Sequence, residues 1–211
     1  MAAIAVIDYD MGNLHSVCKG LEKAGATPKI TDSAIELAKA DALVLPGVGA
    51  FDPTIQHIRS RNLVEPIQDA IASGKHFLGI CMGLQALFDS SEEGVEPGLG
   101  IISGRVRRFR SEPGITIPHM GWNQLELTQL NCPLWQNLSS QPWAYFVHSY
   151  HVEPEDPTIN AATVTHGSQT VTAAIARDNL MAVQFHPEKS SNAGLHILSN
   201  FVHRVRSMVP A

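Results

Sequence analysis

The chain has 211 residues, of which 44% are hydrophobic and 17% are charged, and its formal net charge is -5. These values are ordinary for a globular protein and predict one domain that spans residues 1–211. Nucleic-acid binding is disfavoured, because the basic run RVRRFR (105–110) alternates with apolar residues and Glu112 follows it closely.

Two further classes are disfavoured by the same first inspection. No apolar stretch approaches the roughly 20 residues that a bilayer-spanning helix needs, and the N-terminal MAAIAVIDYD lacks a charged leader. The three cysteines are odd in number and widely separated, which argues against a disulfide framework. We therefore expect a cytoplasmic protein without membrane association.

The first half of the chain alternates between strand-like and helix-like segments. Continuous apolar runs predict buried strands, and helical spacing predicts helices that end near Gly25 and Gly74. These segments are AIAVID (3–8), NLHSVCKGLEKAG (13–25), ADALVLPGVGAF (40–51), LVEPIQDAIASGK (63–75) and HFLGI (76–80). The alternation predicts a parallel sheet with helices on both faces.

The second half changes character from about Gly104 to Phe185, where short β-rich runs are separated by glycine, proline and asparagine. These runs predict meanders and hairpins. An amphipathic pattern from Ser191 to about Met208 predicts a final helix. The fold class is therefore α/β, with an open, mostly parallel twisted sheet flanked by helices and with additional antiparallel strands in the second half.

Three segments fall at the carboxyl ends of the predicted parallel strands, where such sheets bind ligands. They are the turn at 9–14, the glycine loop at 46–51 and Cys81. The cysteine lies in GICMG (79–83), which is the thiol version of the G-x-S-x-G nucleophile elbow between a strand and a helix. The flanking glycines would let strand and helix approach, and the helix N-terminus would favour a thiolate. The other interpretation is a buried cysteine with a chance glycine after it.

A nucleophilic cysteine needs a base, and the stretch AVQFHPEKS (182–190) distinguishes His186 from the other histidines. It ends a buried apolar run, and Glu188 follows two residues later. If the stretch is extended, both side chains project to the same side, so Glu188 can fix the imidazole tautomer. Taken alone, a histidine at a strand end is more often structural, but the elbow favours the catalytic reading.

Two other patterns have weaker readings. His148 and His151 could suggest a metal pair, but on a strand a spacing of three directs them to opposite faces, so we predict no metal site. PGVGAF (46–51) is an incomplete dinucleotide fingerprint. We favour its reading as an oxyanion loop, in which main-chain N–H groups face a tetrahedral intermediate without side-chain obstruction.

With these motifs in place, the chain resembles the class I (triad-type) glutamine amidotransferases over essentially its whole length. GICMGLQ and QFHPEKS carry the resemblance to the class. It implies that Cys81 attacks the carboxamide of L-glutamine, that His186 transfers protons and that Glu188 orients the imidazole. It also implies that no cofactor is needed. The implied oxyanion donors are the main-chain N–H groups of Val48 and Met82. The implied glutamine contacts are Gly49, Gln85, Glu93, Ser149 and Tyr150.

Four further motifs, DYDMGNLHSV, LPGVGAF, PHMGWN and YFVHSY, narrow the resemblance to the glutaminase subunits of histidine biosynthesis. The resemblance implies a heterodimer with a (βα)8-barrel cyclase, which receives ammonia through a tunnel and forms imidazole glycerol phosphate and AICAR. The residues that match the docking and gating face are Asn13, Met120, Trp122, Tyr145 and Lys189. Trp122 and Tyr145 would otherwise be read as core aromatics.

Two alternatives remain at this point. One is a γ-glutamyl or peptide hydrolase that uses the same cysteine and histidine but acts alone on extended substrates. The other is a binding subunit with a vestigial triad, against which the intact GICMG and HPE motifs argue. An unreactive Cys81 would favour the second alternative.

Overall fold

The computed structural model describes residues 2–207, and the predicted fold class is confirmed. Within these residues the strands are β1 (Ala3–Ile7), β2 (Thr27–Thr31), β3 (Ala42–Gly47), β4 (His76–Cys81), β5 (Phe88–Ser91), β6 (Ile102–Arg108), β7 (His119–Gln124), β8 (Glu126–Leu127), β9 (Trp143–His148), β10 (Tyr150–Pro154), β11 (Asn160–His166), β12 (Gln169–Arg177) and β13 (Leu180–Val183). The α-helices are α1 (Leu14–Lys23), α2 (Ala34–Lys39), α3 (Phe51–Ser60), α4 (Val64–Ala72), α5 (Met82–Gln85) and α6 (Ser191–Arg206). Short 3-10 turns cover Pro133–Trp135, Pro157–Ile159 and Pro187–Lys189.

The main sheet has the strand order β2–β1–β3–β4–β13–β12–β11–β8. The pairs from β2 to β13 are parallel, and those from β13 to β8 are antiparallel. Strand β13 lies directly beside β4, although about a hundred residues separate them in sequence. This pairing brings the segment after β13 next to the end of β4, where Cys81 lies.

The main sheet is covered by helices on both faces, as its continuous apolar strands require. On one face, α1 and α6 pack in the same core as Val44 and Ile80; on the other, α2, α3 and α4 pack with Leu43 and Leu45. Successive residues of a strand thus belong to opposite cores. None of the helices within residues 2–207 is long and apolar enough to cross a membrane.

Two smaller sheets lie beside the main one, with the orders β10–β6–β5 and β7–β9. The residues of β6 alternate between buried and accessible as far as Arg107, so Arg105 and Arg107 lie on a solvated face. The final helix ends at Arg206, and Met208, to which the sequence pattern extended it, lies outside the described residues.

Three elements differ from expectation. Strand β2 and helices α2 and α3 were not predicted: β2 is an edge strand with mostly solvent-accessible residues, and α3 carries Pro53 in its first turn, where the missing N–H is tolerated. The helix-like run after Cys81 is only the four-residue α5. The chain then turns, because Phe88–Ser91 pairs with β6 in the second sheet.

Candidate active site

Cys81 ends β4 in a backbone conformation that side chains rarely adopt, with φ 55° and ψ −108°. Its neighbours explain why the turn is possible. A Cβ on Gly83 would collide with the carbonyl oxygen of Leu45, and a Cβ on Gly79 would lie 2.8 Å from the Gly83 carbonyl oxygen. The flanking glycines therefore allow the close approach of strand and helix that the GICMG motif predicts.

The two residues predicted to assist Cys81, His186 and Glu188, lie just after the end of β13 and contact each other. His186 Nδ1 and Glu188 Oε1 are 2.8 Å apart, and their side chains are 3% and 1% exposed. Burial lowers the pKa of His186, but hydrogen bonding and charge from Cys81 and Glu188 outweigh it and raise the pKa to about 9. The arrangement therefore favours an imidazolium at neutral pH.

The contact between His186 and Glu188 is present, but the predicted reason for it is wrong. The chain is not extended here: Pro187–Lys189 forms a 3-10 turn, which brings the two side chains together. Ser190 fixes this turn, since its hydroxyl donates to the His186 carbonyl (2.7 Å) and accepts from Tyr145 N–H (2.9 Å).

The other ring nitrogen of the histidine has a different environment. His186 Nε2 is buried and has no hydrogen-bond partner of good geometry within residues 2–207. It lines the same cavity as Cys81, and the thiol is one of the groups that raise the pKa of His186. Nε2 is thus the nitrogen from which a proton can pass to a bound substrate or the sulfur.

A cavity of about 310 Å³ contains the predicted site. Its lining comprises Val48, Gly49, Cys81, Met82, Gln85, Glu93, Pro118, Val147, His148, Ser149, Tyr150 and His186. All the residues named from sequence for catalysis, oxyanion stabilisation and substrate contact line it, except Glu188, which lies behind His186. Sequence reasoning did not assign Pro118, Val147 and His148 to the site, although they lie within the PHMGWN and YFVHSY motifs.

Glu93 also lines this cavity and brings a carboxylate to it. Its Oε2 accepts a hydrogen bond from Phe51 N–H (2.9 Å) at the start of α3. Burial raises the pKa of Glu93, the Phe51 N–H lowers it and the Asp52 carboxylate raises it, and the net change is upward. An acid in this setting gains from a cationic partner, because a nearby positive charge favours its ionised form.

The glycine loop after β3 contributes Val48 and Gly49 to the lining of the same cavity. Gly49 has φ 99°, in the region that favours glycine, and Val48 is half-exposed beside it. The loop is held from below by Tyr9, which is fully buried and donates its hydroxyl proton to the Pro46 carbonyl at 2.8 Å. Burial and the nearby Cys81 raise the pKa of Tyr9, so the phenol keeps that proton.

The expectation that His148 and His151 face opposite ways is wrong. The run YFVHSYHV breaks at Ser149 into β9, which pairs with β7, and β10, which pairs with β6. Both imidazole rings consequently contact the Phe109 ring, each with a centroid distance of 5.1 Å. Within the described part of the chain, no group of three or more His, Cys, Asp or Glu side chains is arranged to hold a metal ion.

The residues predicted for partner docking are all accessible to solvent. Met120 and Trp122 of β7 are 62% and 49% exposed, and Tyr145 is half-buried opposite Trp122 with ring centroids 6.0 Å apart. Asn13 is exposed but also caps α1 through Ser16 N–H. Lys189 is exposed directly beside Glu188.

The β7–β9 ribbon adds one exposed aromatic that sequence reasoning missed. Trp143 is 51% exposed and lies two residues before Tyr145 on β9, so both project from the same face. The alternation of residues along β9 indicates that Trp143 and Tyr145 share a face. Only the pairing register with β7 shows that this face is exposed to solvent.

Comparison with known proteins places this geometry in a class. The family model described as glutamine amidotransferase class-I matches residues 5–205. Two solved structures share the fold: PurLQS from Thermotoga maritima (TM-score 0.76, 18% identity, 97% of this chain and 99% of that chain) and the glutaminase domain of Trypanosoma brucei CTPS (TM-score 0.72, 17% identity, 100% and 96%). The chain belongs to the class I glutamine amidotransferases.

Curated relatives narrow the class. The chain is 75% identical to the imidazole glycerol phosphate synthase subunit HisH of Gloeothece citriformis, with 98% of each chain covered. It is 73% identical to HisH of Nostoc punctiforme over 100% of both chains. Within its class, the chain is therefore a member of the HisH family.

Proposed function

We propose that this protein is the glutaminase subunit of imidazole glycerol phosphate synthase, which hydrolyses L-glutamine and passes ammonia to a cyclase. The observation that carries the proposal is that Cys81 and the buried His186–Glu188 pair meet at one cavity, whose lining also includes Glu93. The HisH name of relatives 75% and 73% identical over nearly the whole chain supports the same function.

In the proposed acylation step, the Cys81 thiolate attacks the carboxamide carbon of glutamine. The main-chain N–H groups of Val48 and Met82 stabilise the oxyanion of the tetrahedral intermediate. Imidazolium His186 donates its Nε2 proton to the amide nitrogen, the C–N bond breaks, and ammonia leaves a γ-glutamyl thioester. Glu188 holds the imidazole through Nδ1 and stabilises its charged form.

In the deacylation step, His186 is neutral and takes a proton from water as the water attacks the thioester. The second tetrahedral intermediate collapses, the C–S bond breaks and the γ-carboxylic acid is released, which loses its proton to solvent to give glutamate. The sulfur leaves as the thiolate, and the imidazolium is restored, so protons and charge balance over the cycle.

The remaining cavity residues would recognise the free amino acid. Glu93 pairs with the α-ammonium group, and Gln85 offers its carbonyl oxygen to the same end of the substrate. Gly49, Ser149 and Tyr150 contact the rest of the glutamine. A carboxylate in a cavity of about 310 Å³ supports a small zwitterion rather than the extended chain of a peptide.

The proposal includes the surroundings of the reaction. The partner is a (βα)8-barrel cyclase in a heterodimer, docked against Asn13, Met120, Trp122, Tyr145 and Lys189. Residues 1–211 form one glutamine amidotransferase domain, which works in the cytoplasm without a cofactor. The exposed aromatic face of the β7–β9 ribbon supports docking, because interfaces favour such anchors.

The test is removal of the sulfur. Cys81→Ala should abolish release of glutamate and ammonia from glutamine but leave imidazole glycerol phosphate synthesis from ammonium salts intact, because the cyclase performs that chemistry. Both activities are measured in the reconstituted complex. In the chain without substitutions, an electrophilic glutamine mimic should form a covalent adduct. Mass spectrometry should map this adduct to Cys81.

Cys18→Ala is the matched control, since Cys18 is also a free, buried cysteine but lies on α1. It should keep both activities. Loss of both activities in Cys81→Ala would contradict the division of labour, and hydrolysis of γ-glutamyl peptides by the isolated chain would favour the peptide hydrolase instead.

A further inference from the structure

Gln184 is a fully buried amide in an otherwise apolar segment that the proposed mechanism leaves without a role. It follows β13, two residues before His186, and is 0% exposed. A glutamine in this position is costly unless its polar atoms are paired. Its side chain reaches two groups of the active site: Nε2 lies 3.7 Å from Cys81 Sγ, and Oε1 lies 3.0 Å from Gln85 Nε2.

The orientation of both amides follows from a single carbonyl. The Tyr150 carbonyl oxygen can only accept, and it lies 3.2 Å from Gln85 Nε2 and 2.8 Å from His148 Nδ1. The Gln85 NH2 group must therefore donate to Tyr150 and also to Gln184, so Gln184 accepts through Oε1. The Gln184 NH2 group is then the one that faces the sulfur.

The reverse orientation is unfavourable at both ends. Turning the Gln184 amide over would direct its NH2 group at the Gln85 NH2 group and its oxygen at the sulfur lone pairs. Two hydrogen bonds would become two repulsive contacts in a buried environment, where unpaired polar groups are most costly. The network thus specifies one arrangement.

We propose that Gln184 is a positioning residue that holds the Cys81 thiolate through one N–H and holds Gln85 through its carbonyl oxygen. The contact with Gln85 engages the NH2 group of Gln85 and leaves its Oε1 atom free. This Oε1 atom is buried and has no hydrogen-bond partner within residues 2–207, so it is the acceptor available to substrate in the cavity. The part of this inference that concerns substrate rests on the proposed glutaminase function. The part that concerns the contact between Gln184 and the sulfur does not depend on it.

Two substitutions separate the two contacts. Gln184→Glu keeps an oxygen acceptor for Gln85 and nearly the same shape, but removes the N–H donor at the sulfur. Gln184→Met keeps the length of the side chain and removes both contacts. Gln169→Met is the matched control, because Gln169 is also buried and hydrogen-bonded, to Glu112 and to the Arg110 backbone, away from the cavity.

The measurement is the rate of Cys81 alkylation by iodoacetamide as a function of pH, in the isolated chain and without glutamine. The pH of half-maximal rate should rise by about 1–2 units in both Gln184 variants, since a hydrogen bond to an anion is lost, and should not move in Gln169→Met. The KM for glutamine, measured in the complex with the cyclase, should rise at least tenfold in Gln184→Met and less than threefold in Gln184→Glu.

An unchanged alkylation profile in both Gln184 variants would overturn the contact with the sulfur, and an equal KM effect in both would overturn the contact with Gln85. Circular dichroism and thermal unfolding establish that each variant is folded, and the shape-conserving Gln184→Glu keeps the test valid if the methionine variant is not. Failure of the proposed function would look different: the unmodified complex would release no glutamate, while the alkylation shifts would remain.

Discussion

At the scale of single residues, the site depends on how charge is shared between a thiol, an imidazole and a carboxylate. Glu188 is buried against His186 Nδ1, and together with Cys81 it raises the pKa of His186 despite burial. The imidazolium, which the proposed mechanism needs in order to protonate the leaving amide nitrogen, is therefore the favoured form near neutral pH.

Glu188→Gln should lower kcat for glutamine by about 10²–10⁴-fold, because an amide can bind the wrong tautomer and cannot stabilise the imidazolium. The measurement is glutamate release by the complex with the cyclase. Glu92→Gln is the matched control, because Glu92 is an exposed acid that pairs with Arg107 and accepts a hydrogen bond from the Arg108 N–H. A Glu188→Gln enzyme with half the original kcat would contradict the role of this carboxylate.

The sequence predicted the three proposed catalytic residues, but it did not predict the residues that hold them in position. Cys81, His186 and Glu188 were predictable because the chemistry demands those residue types in those motifs. Gln184 and Ser190 lie in the same stretch as His186, AVQFHPEKS (182–190), but an amide or a hydroxyl can serve many purposes. Only the position of β13 beside β4 shows that Gln184 reaches the sulfur.

At the scale of elements, the β7–β9 ribbon is held by a chain of neutral histidines. His148 Nδ1 donates to the Tyr150 carbonyl, so its Nε2 accepts from His119 Nδ1 (3.0 Å), and His119 Nε2 accepts from Asn123 (3.2 Å). Burial lowers the pKa of His119 to about 4, with a smaller contribution from His166. Burial also lowers the pKa of His148, to about 3.

These values predict loss of stability in acid. Between pH 6.5 and about 4 the unfolded chain binds protons at these histidines and the folded chain does not, so the free energy of unfolding should fall as pH is lowered. The upper bound is about 1.4 kcal/mol per pH unit for each histidine. Above pH 6.5 neither state protonates them, and this contribution is constant.

Urea unfolding at a series of pH values tests this, with His119→Gln compared with His15→Gln, a substitution at an exposed position of α1. The slope of stability against pH should be shallower in His119→Gln than in the unmodified chain and unchanged in His15→Gln. Identical slopes in the two variants would contradict the assignment.

The elements that sequence predicted well are those with strong periodicity. The buried runs of β1, β3, β4 and β13 and the amphipathic α6 were all recognisable. The break at Ser149 was not, because YFVHSYHV has the alternation of one strand, and only tertiary pairing divides it between two sheets. The same applies to β2, whose residues are mostly accessible and carry little pattern.

At the scale of the whole molecule, the β7–β9 ribbon contributes residues both to the cavity and to an exposed face. Val147 lines the cavity, and Met120, its pairing partner on β7, is exposed on the proposed docking face. A cyclase bound to this face would cover the aromatic side chains next to the point where ammonia is formed.

Glutaminase activity should therefore be low in the isolated chain and rise when the cyclase is bound with its nucleotide substrate. Trp122→Ala should weaken that binding at least tenfold, as expected for a central aromatic anchor, and leave the basal activity unchanged. Titration of the cyclase against the rate of glutamate release measures both. Leu130→Ala is the control, because Leu130 is an apolar residue 79% exposed outside the ribbon.

Equal turnover with and without the liganded cyclase would contradict the coupling. A Trp122→Ala chain with unchanged affinity would place the docking face elsewhere. The fold alone does not support this prediction, because solved structures that are only 18% and 17% identical to this chain share the fold. The exposed side chains of the ribbon are the proposed specific surface.

The backbone of Cys81 has a consequence for anyone who wishes to make this protein more robust. A residue with a Cβ at φ 55° and ψ −108° carries strain of about 1–3 kcal/mol, which the surrounding sheet must offset. If Cys81 is the nucleophile, as proposed, this turn presents its sulfur to the cavity, and we expect any change that relieves the strain to lower turnover. Substitutions that raise the free energy of unfolding should therefore be sought at positions away from Cys81.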